Sequence, residues 1–173
     1  MLVLRTRNQL GCRIGANAIR LHDEVVATVA KLFRTLRLDA IVEPTRLFNN
    51  TDEDTSSQRP DIFIRNPRGL GRQVIIDVAV TGVNGQSRTS DEATDRPLQT
   101  RYDQKMAKYG RVAEQCNLRF IPAVFSHAGQ IHAEYKALVG EQIRHKLIDS
   151  EGEPKSSKIR AGMKWWSRCI SML

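Results

Sequence analysis

The chain has 173 residues, 40% of them hydrophobic and 6% aromatic, and its 27 lysines and arginines against 19 acids give a net charge of +8. That length accommodates one core with a short extension, and no apolar run approaches the roughly 18 residues of a membrane span. MLVLRTRNQLG lacks the long apolar segment of a secretory signal, so an intracellular protein, nuclear or cytoplasmic and with no membrane partner, is expected. Three cysteines (Cys12, Cys116, Cys169), odd in number and without a C-x-x-C pair, predict free thiols rather than a zinc cluster. The basic excess suits a phosphate backbone better than an acidic membrane surface, because no basic amphipathic helix sets a bulky apolar face apart.

In chain order, residues 1–17 are a poorly patterned N-terminal segment in which Gly11, Gly15 and Asn17 oppose a stable helix. A core domain spans 18–148. From Ala18 the apolar residues Val25, Val26, Val29, Leu32, Phe33 and Leu36 recur at helical spacing and predict an amphipathic helix of about five turns. Asp39–Val42 reads as a short strand that ends at Glu43 and is stopped by Pro44. Residues 49–58 are a polar, acidic loop. Asp61–Arg65 and Gln73–Val80 then read as two strands of a hairpin, with Asn66, Pro67, Gly69 and Gly71 supplying the turn. Thr81–Pro97 lacks periodicity and predicts a surface loop. A helix follows from Leu98 to Cys116, with Tyr102, Met106, Tyr109 and Val112 on one stripe. Leu118–Phe125 is an apolar strand whose Pro122 predicts an edge or bulge position, and a second long helix runs from Gly129 to Ile148. Residues 149–173 form a linker and a C-terminal helix that packs through Trp165 and Trp166. The order α-β-β-β-α-β-α predicts an α/β fold with a mixed central sheet of about four strands flanked by helices.

Two aspartates stand where apolar residues would bury better. Asp61 opens the first strand of the hairpin, and Asp77 interrupts the run Val-Ile-Ile-Asp-Val-Ala-Val. A lone buried carboxylate costs several kcal/mol, so each wants a partner. As bland structural features they would be a strand-end cap and a hydrogen-bonded core carboxylate. As functional ones, two carboxylates on adjacent strands converge on one spot and can hold a divalent cation against a phosphate. On the later helix, Lys105 and Lys108 are three apart and Tyr109 is four from Lys105, so all three can share a face. A lysine there can steady the charge of a phosphoryl transition state. Tyr109 is expected to pack inward with Met106, and Lys108 to lie nearer the acids than Lys105. The histidines His22, His127, His132 and His145 form no metal-binding spacing.

Taken together, R-P-D, then I-I-D-V-A-V, then K-x-x-K-Y resemble the PD-(D/E)XK nucleases. More narrowly they resemble the restriction-enzyme-like endonuclease domains that accompany non-LTR retrotransposon reverse transcriptases. Arg20-Leu-His22-Asp23, Glu43-Pro44 and Phe120-Ile-Pro122 extend the resemblance over residues 18–145. It implies a restriction-endonuclease-like core and a DNA endonuclease dependent on Mg²⁺ or Mn²⁺. Asp61 and Asp77 would be metal ligands, with Glu43 or Glu24 completing the site. Lys105 or Lys108 would be the catalytic lysine, with Tyr109 beside them, migrated to the helix because Ala79 occupies the usual lysine position. Arg20, His22, Arg59, Arg72 and Arg101 are the candidate contacts to DNA, whether linear, nicked or branched. Retrotransposon copies often carry a Cys/His knuckle before the domain, and only Cys12 remains here, so zinc is not expected. With no reverse transcriptase in the sequence, an excised, domesticated or stand-alone domain is expected. The rivals are a DNA-binding domain of this fold that does not cut, and a junction-resolving homodimer.

Overall fold

A computed structural model describes residues 7–45, 47–48, 59–81, 91–126, 129–151 and 156–171. The loop at 49–58, residues 82–90, His127 and the side chain of Cys12 lie outside the described residues. In chain order the elements are α1 (Arg7–Thr35), β1 (Ala40–Val42), β2 (Ile62–Ile64), β3 (Val74–Thr81), α2 (Asp91–Gln115), β4 (Arg119–Ser126), α3 (Ala133–Glu151) and α4 (Ser156–Ser171). The four strands form one sheet in the order β1-β2-β3-β4. The β1/β2 and β2/β3 pairs are antiparallel and β3/β4 is parallel. The protein is thus α/β, with a mixed four-stranded sheet flanked by helices. Among the described residues, no helix is long and apolar enough to cross a membrane.

Strand alternation divides the core into two layers. Ile62, Ile64, Val74, Ile76, Val78, Ile121, Ala123 and Phe125 face α1, α3 and α4. On the other face Phe63, Ile75 and Phe120 pack with Tyr109, Val112 and Ala113 of α2, and Ala79 and Val124 meet Leu98. Among the described helices α2 alone covers that side of the sheet, joined there by Phe48. Pro122 on β4 is tolerated because β4 lies at the edge of the sheet.

The apolar stripe expected of the first helix is buried throughout, from Val25 to Leu36. The expectation that no helix forms before Ala18 is corrected, since α1 begins at Arg7. An interior glycine costs about 1 kcal/mol relative to alanine, too little to stop a helix that propagates from a packed second half. The loop expected at 81–97 is likewise shortened, because α2 begins at Asp91 and carries Pro97 inside it. Proline deletes one helical hydrogen bond there, while the turns beyond it are held by packing on β4. Both α1 and α2 end in the same way. Arg37 and Asn117 adopt φ of 62° and 55°. The next amides, of Leu38 and Leu118, reach back to the carbonyls of Phe33 (3.2 Å) and Ala113 (2.8 Å). That left-handed cap reverses the chain and buries each leucine at the start of a strand. In α4, Trp166 is fully buried, with its ring 5.2 Å from Phe33, whereas Trp165 is exposed.

The hairpin turn is clamped onto α3 by one buried amide. Gln142 Oε1 accepts from the Arg68 amide (3.1 Å), and Gln142 Nε2 donates to the Arg68 carbonyl (2.9 Å). Arg68 also ion-pairs with Asp149, and Gly69, at φ +74°, leaves room for the His145 ring. Replacing Gln142 with leucine removes both hydrogen bonds and leaves a peptide group unpaired, for an expected loss of about 1–3 kcal/mol in chemical denaturation. A loss below about 0.5 kcal/mol would mean that the clamp does not hold the turn.

Candidate functional site

The β2/β3 register pairs Ile62 with Ile76, and continuing it by one residue sets Asp61 opposite Asp77. Strand β3 runs on beyond the end of β2, so the Val78 amide has no ladder partner on that side. The Asp61 carboxylate takes its place, with Oδ2 2.6 Å from Val78 N. Asp77 lies on the α2 face between Ile75 and Ala79 and is 3% exposed. A carboxylate that deep requires a cation, and Lys105 supplies it from α2 by an ion pair to Asp77 Oδ2. Tyr109, one turn further along α2, hydrogen-bonds Asp77 through its hydroxyl, which also lies 3.5 Å from the Arg59 carbonyl. From α1, on the opposite layer, His22 Nε2 comes within 3.3 Å of Asp61 Oδ2.

The electrostatics follow from that crowding. Burial first, and then the neighbouring Asp77, push the Asp61 carboxyl above its ordinary value of 3.8; the Val78 amide, His22 and Lys105 pull it back in part. Burial and the two aspartates raise the Tyr109 phenol far above its usual range, so it stays protonated and acts as a donor. The folded protein therefore holds the Asp61 proton more tightly than the unfolded chain. The stability contributed by protonated Asp61 is full below 3.8 and is lost as pH rises through the higher folded value. Asp61→Asn should raise the melting temperature at pH 7 in a chelator, and its advantage should shrink as pH falls towards 3.8. An advantage that persisted unchanged at pH 3.5 would contradict the raised carboxyl.

Asp61, Asp77, Lys105, Tyr109 and His22 are thus brought together. Lys108 is not: its ammonium lies over the outer face of the Tyr109 ring, 4.7 Å from the centroid, and its side chain is exposed. The expectation that Lys108 lies nearer the acids is therefore reversed in favour of Lys105. Glu43 adjoins the site only through its backbone, its amide donating to the Asp61 carbonyl (2.8 Å) at φ +48°, while the side chain is exposed. Glu24 is turned to Arg20, 3.2 Å away on the surface. Arg72 is engaged by both oxygens of Glu114 at 3.0 Å. Arg59 is exposed near the site, and Arg101 sits one turn before Lys105 on α2.

No family model and no curated protein matches the chain. Its chemistry has to be read from the site itself.

Among the described residues, no group of three or more His, Cys, Asp or Glu side chains is placed to hold a metal ion. The two carboxylates nonetheless have the right chemistry for a hard divalent cation. Mg²⁺ retains several waters and takes one or two protein carboxylates together with phosphate oxygens. The charge of Asp77 raises the Asp61 carboxyl, as expected where two carboxylates share one low-dielectric place. Sequence reasoning did not foresee the His22–Asp61 contact or the Val78 amide bond. The only signal for either was an aspartate at the start of a strand too short to satisfy its neighbour.

Proposed function

We propose that the chain is a metal-dependent DNA endonuclease of the restriction-endonuclease-like kind, cleaving phosphodiester bonds at Asp61 and Asp77. The observation that carries this reading is the pair of facing carboxylates on adjacent strands, with the Lys105 ammonium on Asp77 Oδ2. Mg²⁺ or Mn²⁺, held by the two aspartates, would polarise the scissile phosphate and lower the pKa of a bound water. Lys105 steadies the negative charge that develops on the phosphoryl oxygens. Tyr109 holds Asp77 in orientation by its hydrogen bond, and His22 and the Val78 amide do the same for Asp61. The +8 charge holds the DNA backbone in an intracellular, nuclear or cytoplasmic setting.

One observation favours a second reading, in which the chain binds nucleic acid without cutting it. The direct Lys105–Asp77 ion pair already neutralises the buried acid. A junction-resolving homodimer remains the third form of the same chemistry. An assay of nicking on linear, nicked and branched DNA, with and without Mg²⁺ or Mn²⁺, tests the proposal. Divalent-dependent nicks are expected; their absence on every substrate would leave only the binding reading.

A further inference from the structure

A groove of about 580 Å³ opens between the C-terminal end of β3 and the first half of α2. Val80 and Thr81 line it from the strand, and Arg96, Thr100, Arg101 and Gln104 from the helix. Two guanidiniums, a hydroxyl and an amide thus line one wall, and no carboxylate is among the described lining residues. Arg101 Nη1 donates to Gln104 Oε1 at 3.0 Å, which leaves the amide nitrogen of Gln104 as the end available to an acceptor. Such a surface recognises an anion with several oxygens, and a guanidinium meets phosphate in a two-pronged way.

The position of the groove indicates which phosphate. Arg101 lies four residues before Lys105, one helical turn or about 6 Å along α2. Thr81 lies four residues beyond Asp77, about 13 Å along β3. The groove therefore begins next to the acids and leads away from them along the same helix that delivers Lys105. We propose that this groove binds the phosphodiester backbone of a nucleic-acid strand that passes the acids, within about three nucleotides of Asp61 and Asp77, with Arg96 and Arg101 as the phosphate contacts. The assignment rests on the nucleic-acid reading above but not on cleavage. It fixes the side on which the bound strand leaves the acids, and it gives Arg96 a role alongside Arg101.

The test compares two variants of the full chain that lose the same charge. Arg96→Ala/Arg101→Ala empties the groove. Arg160→Ala/Lys164→Ala removes two exposed charges from α4, on the far face of the sheet. Binding of a fluorescent duplex is followed by anisotropy over a series of salt concentrations in chelator. The groove variant should bind at least about tenfold more weakly. The slope of its log K against log salt should shrink by about 0.9 for each phosphate that is no longer neutralised. The α4 variant should stay within about twofold of the unsubstituted protein. Equal weakening by both variants, or none by the groove variant, overturns the assignment, as does a protein that binds no duplex at all. Displacement of the duplex by inorganic phosphate at an equal concentration of phosphate groups would mean a site for free phosphate, which also overturns it. Salt-sensitive binding through the groove with no nicking under any divalent ion upholds the groove and removes the cleavage reading alone.

Discussion

Asp61→Asn and Asp77→Asn are each expected to abolish divalent-dependent nicking, a loss of more than about 10³-fold, while DNA binds at least as tightly as before. Asparagine keeps the shape and one acceptor oxygen but loses the charge that a cation requires. Removing a negative group that faces a phosphate strengthens the hold on the backbone. The two variants differ in stability, which guards the result against simple unfolding. Asp61→Asn relieves a buried carboxylate that Asp77 repels, so it remains folded and is the cleaner test. Asp77→Asn strips Lys105 of its partner in a site where the lysine side chain is only 17% exposed. Breaking a fully buried pair in this way costs about 3–5 kcal/mol; the residual exposure of Lys105 makes this an upper bound. Nicking retained in both single variants would remove the acids from the mechanism.

Lys105→Ala should reduce turnover at saturating DNA by about 10²- to 10³-fold, because a preorganised charge at the developing phosphoryl anion has gone. Lys108→Ala should leave turnover within about threefold. Its ammonium already sits on the outer face of Tyr109, 4.7 Å from the ring centroid, in a position to touch passing backbone rather than the acids. It should act on binding, if on anything. Melting temperatures accompany both measurements, since removing Lys105 leaves Asp77 buried without its cation. A folded Lys105→Ala protein with normal turnover would remove the lysine from the reaction. A large loss in Lys108→Ala with little in Lys105→Ala would require α2 to rotate on binding DNA.

Much of the architecture was readable from local periodicity. The stripe from Val25 to Leu36 could only be one face of a helix. The turn glycines at 69 and 71 adopt the positive φ that turn chemistry demands, 74° and 64°. What misled was punctuation. Gly11 and Gly15 pointed away from a helix at the start, and Pro97 to a helix boundary, whereas α1 and α2 run through all three. Each penalty is of the order of 1–3 kcal/mol, and a helix continuous with a packed segment absorbs it.

Two apolar strands each interrupted by an acid were enough, by themselves, to single out Asp61 and Asp77, because a carboxylate in such a run has no reason to be there unless something compensates it. The compensating groups were decided by tertiary structure alone. Lys105 and Lys108 are three apart and so only about 60° apart around the helix, and which of them meets Asp77 depends on how α2 docks on Ile75, Phe120 and Val124. His22 meets Asp61, far along the sequence, because α1 and β2 are brought together by the sheet's other face. Arg72, a candidate DNA contact, is paired on the surface with Glu114, distant in sequence and within 3.0 Å of it. Side-chain periodicity is a property of a few consecutive residues; the meeting of charges is a property of how whole elements pack.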